Sequence, residues 1–283
     1  MFRFNFCSSE PEEYAITNYS GSKVALHARE ISLNELDFTQ INTSNYNNYK
    51  CRSGVTIKYL GSDSIVKNTQ ENQHNTAVFT VTNHSDLEEG VYEGGFKVWE
   101  CTQDLVNFMC TKDVNLKNKT VLDLGCGAGI IGIFCLLEGA HVYFQDYNPE
   151  VILSATIPNI LLNFGNVENF PKTSKFYSGD WEYFLTLIRN DNIKFDFILT
   201  SETIYNIDNY RKLYAIFINC LKETGVIYVA AKTHYFGVGG GLRTFEELLA
   251  SLGELNIETS WICSNGINRE IIKLTKKHRK VVH

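Results

Sequence analysis

The chain has 283 residues, 44% hydrophobic and 13% aromatic, with a formal net charge of −6. That is enough apolar material for one large core, or for a domain with an appendage, and too acidic a balance for a chain that binds polyanions along its whole length. No apolar run approaches the roughly 20 residues of a membrane span, and the opening MFRFNFCSSEPEEY lacks the apolar stretch and cleavage site of a secretory signal. The eight cysteines contain no C-x-x-C pair and no histidine at zinc spacing, so free thiols in a reducing compartment are expected, and no metal site. The one basic cluster, Lys276-Lys277-His278-Arg279-Lys280, reads as a solvated C-terminal stretch.

In chain order, residues 1–75 read as an N-terminal arm that is at best partly ordered. INTSNYNNYK is rich in Asn, Ser, Thr and Tyr, and its apolar residues lack a clean period; short strands are expected at 55–60 and 77–81. Residues 76–283 read as one domain. A helix is expected over 99–111 with Leu105, Phe108 and Met109 inward. VLDLG is a strand, and GIIGIFCLLEG a helix ending at Gly139. HVYFQDYN is a second strand, and 150–163 a helix bent or broken near Pro158. KFYSGDW is a third strand before a short helix over 182–189, and FDFILTSE is a fourth. A helix over 210–222 is closed by Gly225, GVIYVAAK is the fifth strand, and 245–252 is a helix. ETSWICS and EIIKLTK end the domain as an antiparallel pair. Strand and helix alternate, so the expected fold is α/β: a mostly parallel, Rossmann-like sheet with helices on both faces. In such sheets ligands bind beyond the carboxyl ends of the strands.

The first strand ends in D-L-G-C-G-A-G, with Asp123, Gly125 and Gly127, a turn that brings backbone close to a ligand. GAGIIG also satisfies G-x-G-x-x-G. The second strand ends in Asp146, 21 residues after Gly125, where a carboxylate can take both hydroxyls of a ribose or merely cap the next helix. The third ends in Gly179-Asp180-Trp181, a carboxylate for an adenine amino group and an indole to stack on a purine or close the core. Loop and acids indicate an adenosine-containing cofactor. Asp123 inside the strand and the closing pair favour S-adenosylmethionine; NAD(P) would want a second βαβ half.

HSDLEEGVYEGGFKVWECTQDL, LDLGCGAG, FQDYN, SGDW, LTSETIYN and AAKTHYFGVGGG follow one another in this order. Together they resemble the histidine protein methyltransferase family of seven-strand, S-adenosylmethionine-dependent enzymes, and MFRFNF is similar to that family's N-terminus. The resemblance implies a protein-histidine N-methyltransferase acting on a large-subunit ribosomal protein, with S-adenosylhomocysteine as product. It implies cofactor contacts at Val98, Trp99, Glu100, Cys101, Thr102, Gly125, Gln145, Asp146, Tyr147, Gly179, Asp180, Trp181 and Ser201. A cytoplasmic location follows, with a nuclear or nucleolar one as the alternative. A monomer is the default, with no membrane and no direct nucleic-acid partner.

TSETIYN, at the fourth strand's end, carries the candidate chemistry. Neutral imidazole, with an ordinary pKa of about 6.5, attacks a sulfonium methyl through one nitrogen while the other keeps its hydrogen. Glu202 or Asn206 is the expected acceptor for that N–H, and Tyr205 the expected wall of the ring; Glu202 and Asn206 also suit a cap for the helix starting near Asp208. A lysine acceptor stays open on the chemistry, as does a binding or assembly factor for a ribosomal protein. His234 is expected as a hydrogen-bonded core histidine, with a substrate contact as the alternative, and Lys232 as a solvated strand end. GVYEGG over 90–95 is expected either as a lid with Glu93 facing substrate or as a plain turn.

Overall fold

The computed structural model describes residues 25–52, 54–70 and 91–277. The strand expected at 77–81, Cys7, and most of the basic C-terminal cluster lie outside the described residues.

An eight-stranded sheet carries the fold, in the order β1-β6-β5-β4-β7-β8-β10-β9, with the two-residue β1 Arg29–Glu30 at one edge. Its centre is β4 Thr120–Leu124, flanked by β5 His141–Asp146 and β6 Ser174–Ser178 on one side, and by β7 Phe195–Ser201 and β8 Leu221–Lys232 on the other. These five strands pair in parallel. β10 Arg269–Lys276 lies antiparallel between β8 and β9 Leu255–Cys263. Setting β1 aside, this is the seven-strand methyltransferase sheet, with its last strand inserted antiparallel next to the fifth.

Alternation along each strand feeds two cores. Val121, Tyr228, Ala230 and Ile271 face one, against α2 Glu100–Thr111, α3 Ile130–Leu137 and α4 Ile157–Phe164. Leu122, Leu124, Val229 and Ile272 face the other, against α5 Trp181–Asn190, α6 Tyr210–Cys220 and α7 Leu242–Leu252. Leu105, Phe108 and Met109 of α2 are buried as expected.

Two boundaries differ from expectation. Gly225 does not close α6. That helix ends at Cys220 because Leu221 turns into extended backbone (φ −76°, ψ 137°) and pairs at once with Phe195, so Gly225 lies inside β8, beside a shift of register. The helix around Pro158 does not break. It begins at Pro149–Val151, passes through a π-helical turn at Ile152–Thr156 and resumes as α4. A proline donates no N–H to the turn before it, and the wider π turn absorbs the loss.

Residues 25–70 dock onto this sheet. β1 Arg29–Glu30 pairs antiparallel with β6. β2 Tyr46–Lys50 and β3 Thr56–Leu60 form a hairpin, and α1 Ser62–Gln70 follows. Ile31 and Ile57 enter the same core as α3 and α4.

Candidate active site

An open cleft of about 1190 Å³, counting the solvent at its mouth, lies beyond the carboxyl ends of β4, β5, β6 and β7. The turn after β4 is its floor. Gly127 takes φ +51°, and a Cβ there would stand 2.9 Å from the carbonyl oxygen of Gly95, so only glycine fits. Three bonds hold this turn. The Gly127 N–H donates to Asp146 Oδ2 at 2.9 Å, Thr156 Oγ1 donates to the Gly127 carbonyl at 2.6 Å, and Asn159 Nδ2 donates to the Ala128 carbonyl at 2.8 Å. The π turn is what aims Thr156 at the floor.

Asp146 closes the end of β5. Its Oδ1 accepts the Asn148 N–H at 3.1 Å, and it is buried. Burial pushes its carboxyl up to about 6, against the two backbone N–H groups; the Glu93 charge adds to the rise. It remains ionised at neutral pH, with lone pairs left for further donors. Asp180 caps α5 through the Glu182 N–H at 2.9 Å and pairs with Lys212 Nζ at 2.7 Å. Trp181 lines the cleft, its ring oriented by an Nε1–H bond to Gln145 Oε1 at 2.8 Å.

Residues 91–99 form the roof. Asn148 clamps them from below: it accepts the Glu93 N–H at 3.1 Å and donates to the Val91 carbonyl at 2.7 Å. Trp99 Nε1 donates to the Gly94 carbonyl at 3.2 Å. The Tyr205 hydroxyl donates to Glu93 Oε2 across the cleft, joining the roof to the lip after β7.

Beneath that lip lies a buried charge cluster. Glu202 takes φ +59°, costing a non-glycine residue about 1–2 kcal/mol, and three contacts hold it there. Its Oε1 accepts the Cys101 N–H at 3.4 Å and lies 3.6 Å from Lys232 Nζ. Its Oε2 accepts the Tyr235 hydroxyl at 2.7 Å. Lys232 Nζ is also 3.4 Å from Glu100 Oε2 and sits over the rings of Trp99 and Tyr235. Burial, then the Glu202 charge, pushes the Tyr235 hydroxyl and the Cys101 thiol well up.

The cleft therefore brings together Val98, Trp99, Thr102, Gly125, Gly127, Asp146, Tyr147, Asp180, Trp181, Ser201, Glu202 and Tyr205. The other candidate residues sit outside it. Asp123 gives its Oδ2 to the Gly132 N–H at 2.8 Å, so it ties β4 to α3. Gln145 is fully buried and orients Trp181. Gly179 is covered by Ala28 of the N-terminal segment. Glu100 and Cys101 face the Lys232–Glu202 cluster. Asn206 caps the next turn, its Oδ1 accepting the Asp208 N–H at 2.9 Å, and is not among the residues that line the cleft.

Two further expectations are corrected. Lys232 is 3% exposed rather than solvated, because two carboxylates and two rings surround it. His234 is exposed rather than in the core, packed edge-on against Phe236. Ala25, Lys97, Thr203 and Lys212 line the cleft without having been singled out, and Glu93, Gly94 and Gly95 of the candidate lid line it too. For Ala25 and Lys212 the sequence holds no signal, since only tertiary packing brings them there.

A family sequence profile described as "Lysine methyltransferase" matches residues 82–237. The chain belongs to this methyltransferase family. It is 48% identical over 195 residues to a "Histidine protein methyltransferase 1 homolog" of Dictyostelium discoideum, covering 68% of this chain and 61% of that one. It is 39% identical over 219 residues to the homolog of Mus musculus, covering 70% and 60%. The chain thus spans about three fifths of the length of these relatives. In structure it is similar to a Streptococcus mutans protein described as a SAM-dependent methyltransferase, with TM-score 0.53, 11% identity, and 82% and 56% of the two chains covered. The five parallel strands run in the order shared with the dinucleotide fold, and an antiparallel pair, β10 and β9, occupies the edge where that fold has a sixth parallel strand.

Proposed function

We propose that the chain is a protein-histidine N-methyltransferase that uses S-adenosylmethionine and methylates a large-subunit ribosomal protein in the cytoplasm or nucleolus. The observation that carries the acceptor is the 48% identity to a histidine protein methyltransferase homolog, together with a cleft whose parts suit the cofactor. The substrate follows from the family resemblance of the separated sequence words.

The fit to the cofactor rests on the donor set. The Gly127 floor is a cradle that a Cβ would fill. Asp146 offers an ionised carboxylate for the two hydroxyls of a ribose, and Trp181 offers an indole face for a purine. Val98, Trp99, Thr102, Gly125, Tyr147, Asp180 and Ser201 complete the wall. When bound, S-adenosylmethionine supplies an already activated sulfonium methyl. The protein's task is then positioning: it must hold a neutral imidazole in line near the methyl and keep water out. Tyr205 walls the ring from the lip, and Glu202 fixes the lip's backbone.

The family profile's description favours a second acceptor, lysine. Lysine would have to lose a proton at a pKa near 10.4 before attack, whereas imidazole is mostly neutral at pH 7. The test is to incubate the chain with labelled S-adenosylmethionine and a ribosomal lysate from cells lacking the enzyme, then hydrolyse the labelled protein. Methylhistidine in a large-subunit protein is expected. Methyllysine would replace the reading with its alternative.

A further inference from the structure

We propose that Glu93 is the carboxylate that accepts the ring N–H of the substrate histidine, aimed by Tyr205, and that Glu202 is a positioning residue beneath them. The proposal rests on the histidine-methylation reading. The candidate acceptors around the cleft, Glu202, Asn206, Asp180 and Asp146, divide by what already holds them. Glu202 is 8% exposed, with both oxygens engaged from below by the Cys101 N–H, the Tyr235 hydroxyl and the Lys232 ammonium. Asn206 gives its oxygen to the Asp208 N–H. Asp180 is paired with Lys212. Asp146 lies at the floor, bonded to the Gly127 and Asn148 N–H groups.

Glu93 differs in placement. It is half-buried on the roof, it lines the cleft, and its partner Tyr205 belongs to the opposite lip. A planar ring entering against Tyr205 meets a carboxylate at its edge. The roof backbone that carries Glu93 is fixed on either side by Asn148 and Trp99, so the carboxylate is held before substrate arrives.

The chemistry balances. One imidazole nitrogen uses its lone pair to form the bond to the methyl carbon. The carbon–sulfur bond breaks, and its electron pair stays on sulfur as a neutral thioether. Positive charge passes to the ring, where the second N–H carries it against the Glu93 carboxylate. That proton then leaves to Glu93 and on to solvent, and neutral methylhistidine remains. The nitrogen bonded to Glu93 is the one that does not attack, so the carboxylate also selects which methylhistidine isomer forms.

The full chain carrying Glu93→Gln or Tyr205→Phe tests this. Turnover is read on ribosomal proteins from cells lacking the enzyme, the two methylhistidine isomers are separated after hydrolysis, and S-adenosylhomocysteine affinity is measured by calorimetry. Glu93→Gln should lower turnover about 10²-fold. It should also yield both isomers, because a neutral amide holds the N–H nitrogen less firmly than a carboxylate and lets the ring enter flipped, with its other nitrogen bare toward the methyl. Affinity should stay within about twofold, the scale of a substitution that leaves cofactor contacts intact. Tyr205→Phe should also mix the isomers, with a smaller loss of turnover. Native turnover with a single isomer in Glu93→Gln would overturn the assignment. So would a loss of S-adenosylhomocysteine affinity parallel to the loss of turnover, which would make Glu93 a cofactor residue. Methyllysine made by the unsubstituted chain would instead overturn the histidine reading itself, whatever the variants do.

Discussion

Two aspartates 23 positions apart in sequence show how the surroundings set a carboxyl's role. Asp123 is 1% exposed; its Oδ2 accepts one N–H, and its Oδ1 is buried with no hydrogen-bond partner among the described residues. Burial pushes it up to about 8, so at neutral pH the folded chain holds it as a neutral acid. Asp146, with two backbone N–H donors, is pushed only to about 6 and stays charged. The sequence showed both as strand-end acids but could not show the number of donors each would meet. For Asp123 the consequence is a pH dependence of defined sign. The folded pKa lies above the unfolded value of 3.8, so the folded state keeps a proton that the unfolded chain releases. The stability this group contributes is full at low pH and is lost as pH rises through about 8. Asp123→Asn keeps the shape and removes the charge. Its thermal midpoint should therefore fall less between pH 5 and pH 9 than that of the native chain. An equal fall in both proteins would mean that Asp123 is ionised in the fold.

At the scale of elements, α4 acts as a bracket between the N-terminal hairpin and the glycine turn. Asn159 Oδ1 accepts the Leu60 N–H at 2.7 Å, while its Nδ2 holds the Ala128 carbonyl. One turn later Asn163 Oδ1 accepts the Lys58 N–H at 2.9 Å and its Nδ2 donates to the Lys58 carbonyl at 2.7 Å. The edge of β3 is thus paired by two side chains at helical spacing rather than by another strand. Sequence periodicity found the helix and the 55–60 strand, but a pairing across about a hundred residues leaves no local pattern. Asn159→Ala would leave the Leu60 N–H and the Ala128 carbonyl buried without a partner, at about 1–3 kcal/mol each. Denaturant unfolding should show that loss, and calorimetry should show weaker S-adenosylhomocysteine binding, because the turn under the ligand is loosened. Asn163→Ala, which does not touch the turn, should lower stability and leave the affinity unchanged. Equal affinity losses in both variants would mean that the bracket does not act through the turn.

Across the whole molecule, what alternates regularly was legible and what depends on docking was not. The strands and helices from 99 onward follow from apolar runs, punctuating glycines and the chirality of parallel crossovers, which leave few arrangements for such a sheet. β1 has only Arg29 and Glu30, both exposed, and β2 is the polar run YNNYK, so neither has a strand's pattern; β6 and the α3–α4 face give them their place. The charge cluster under the lip was equally hidden, since Glu202 lies about thirty residues before Lys232 and Tyr235 in sequence. Whole-molecule charge bears on the proposed substrate in the same non-local way. The net charge is −6, the cleft lining carries the carboxylates of Glu93, Asp146, Asp180 and Glu202 against the ammonium groups of Lys97 and Lys212, and Asp208 is exposed one residue after the exposed Ile207 near its lip. A basic protein such as a ribosomal protein approaches that surface down a favourable potential, which raises the encounter rate more than the chemical rate. Between about 10 mM and 0.1 M salt the screening length falls from roughly 30 to 10 Å. Over that range kcat/KM on ribosomal proteins should fall severalfold while kcat holds steady, because the proposed acceptor Glu93 lines the cleft, where screening by salt is weakest. A kcat/KM that ignores salt would mean that the substrate is recognised through apolar contact, and a kcat that falls with it would place the salt-sensitive charge at the reacting atoms.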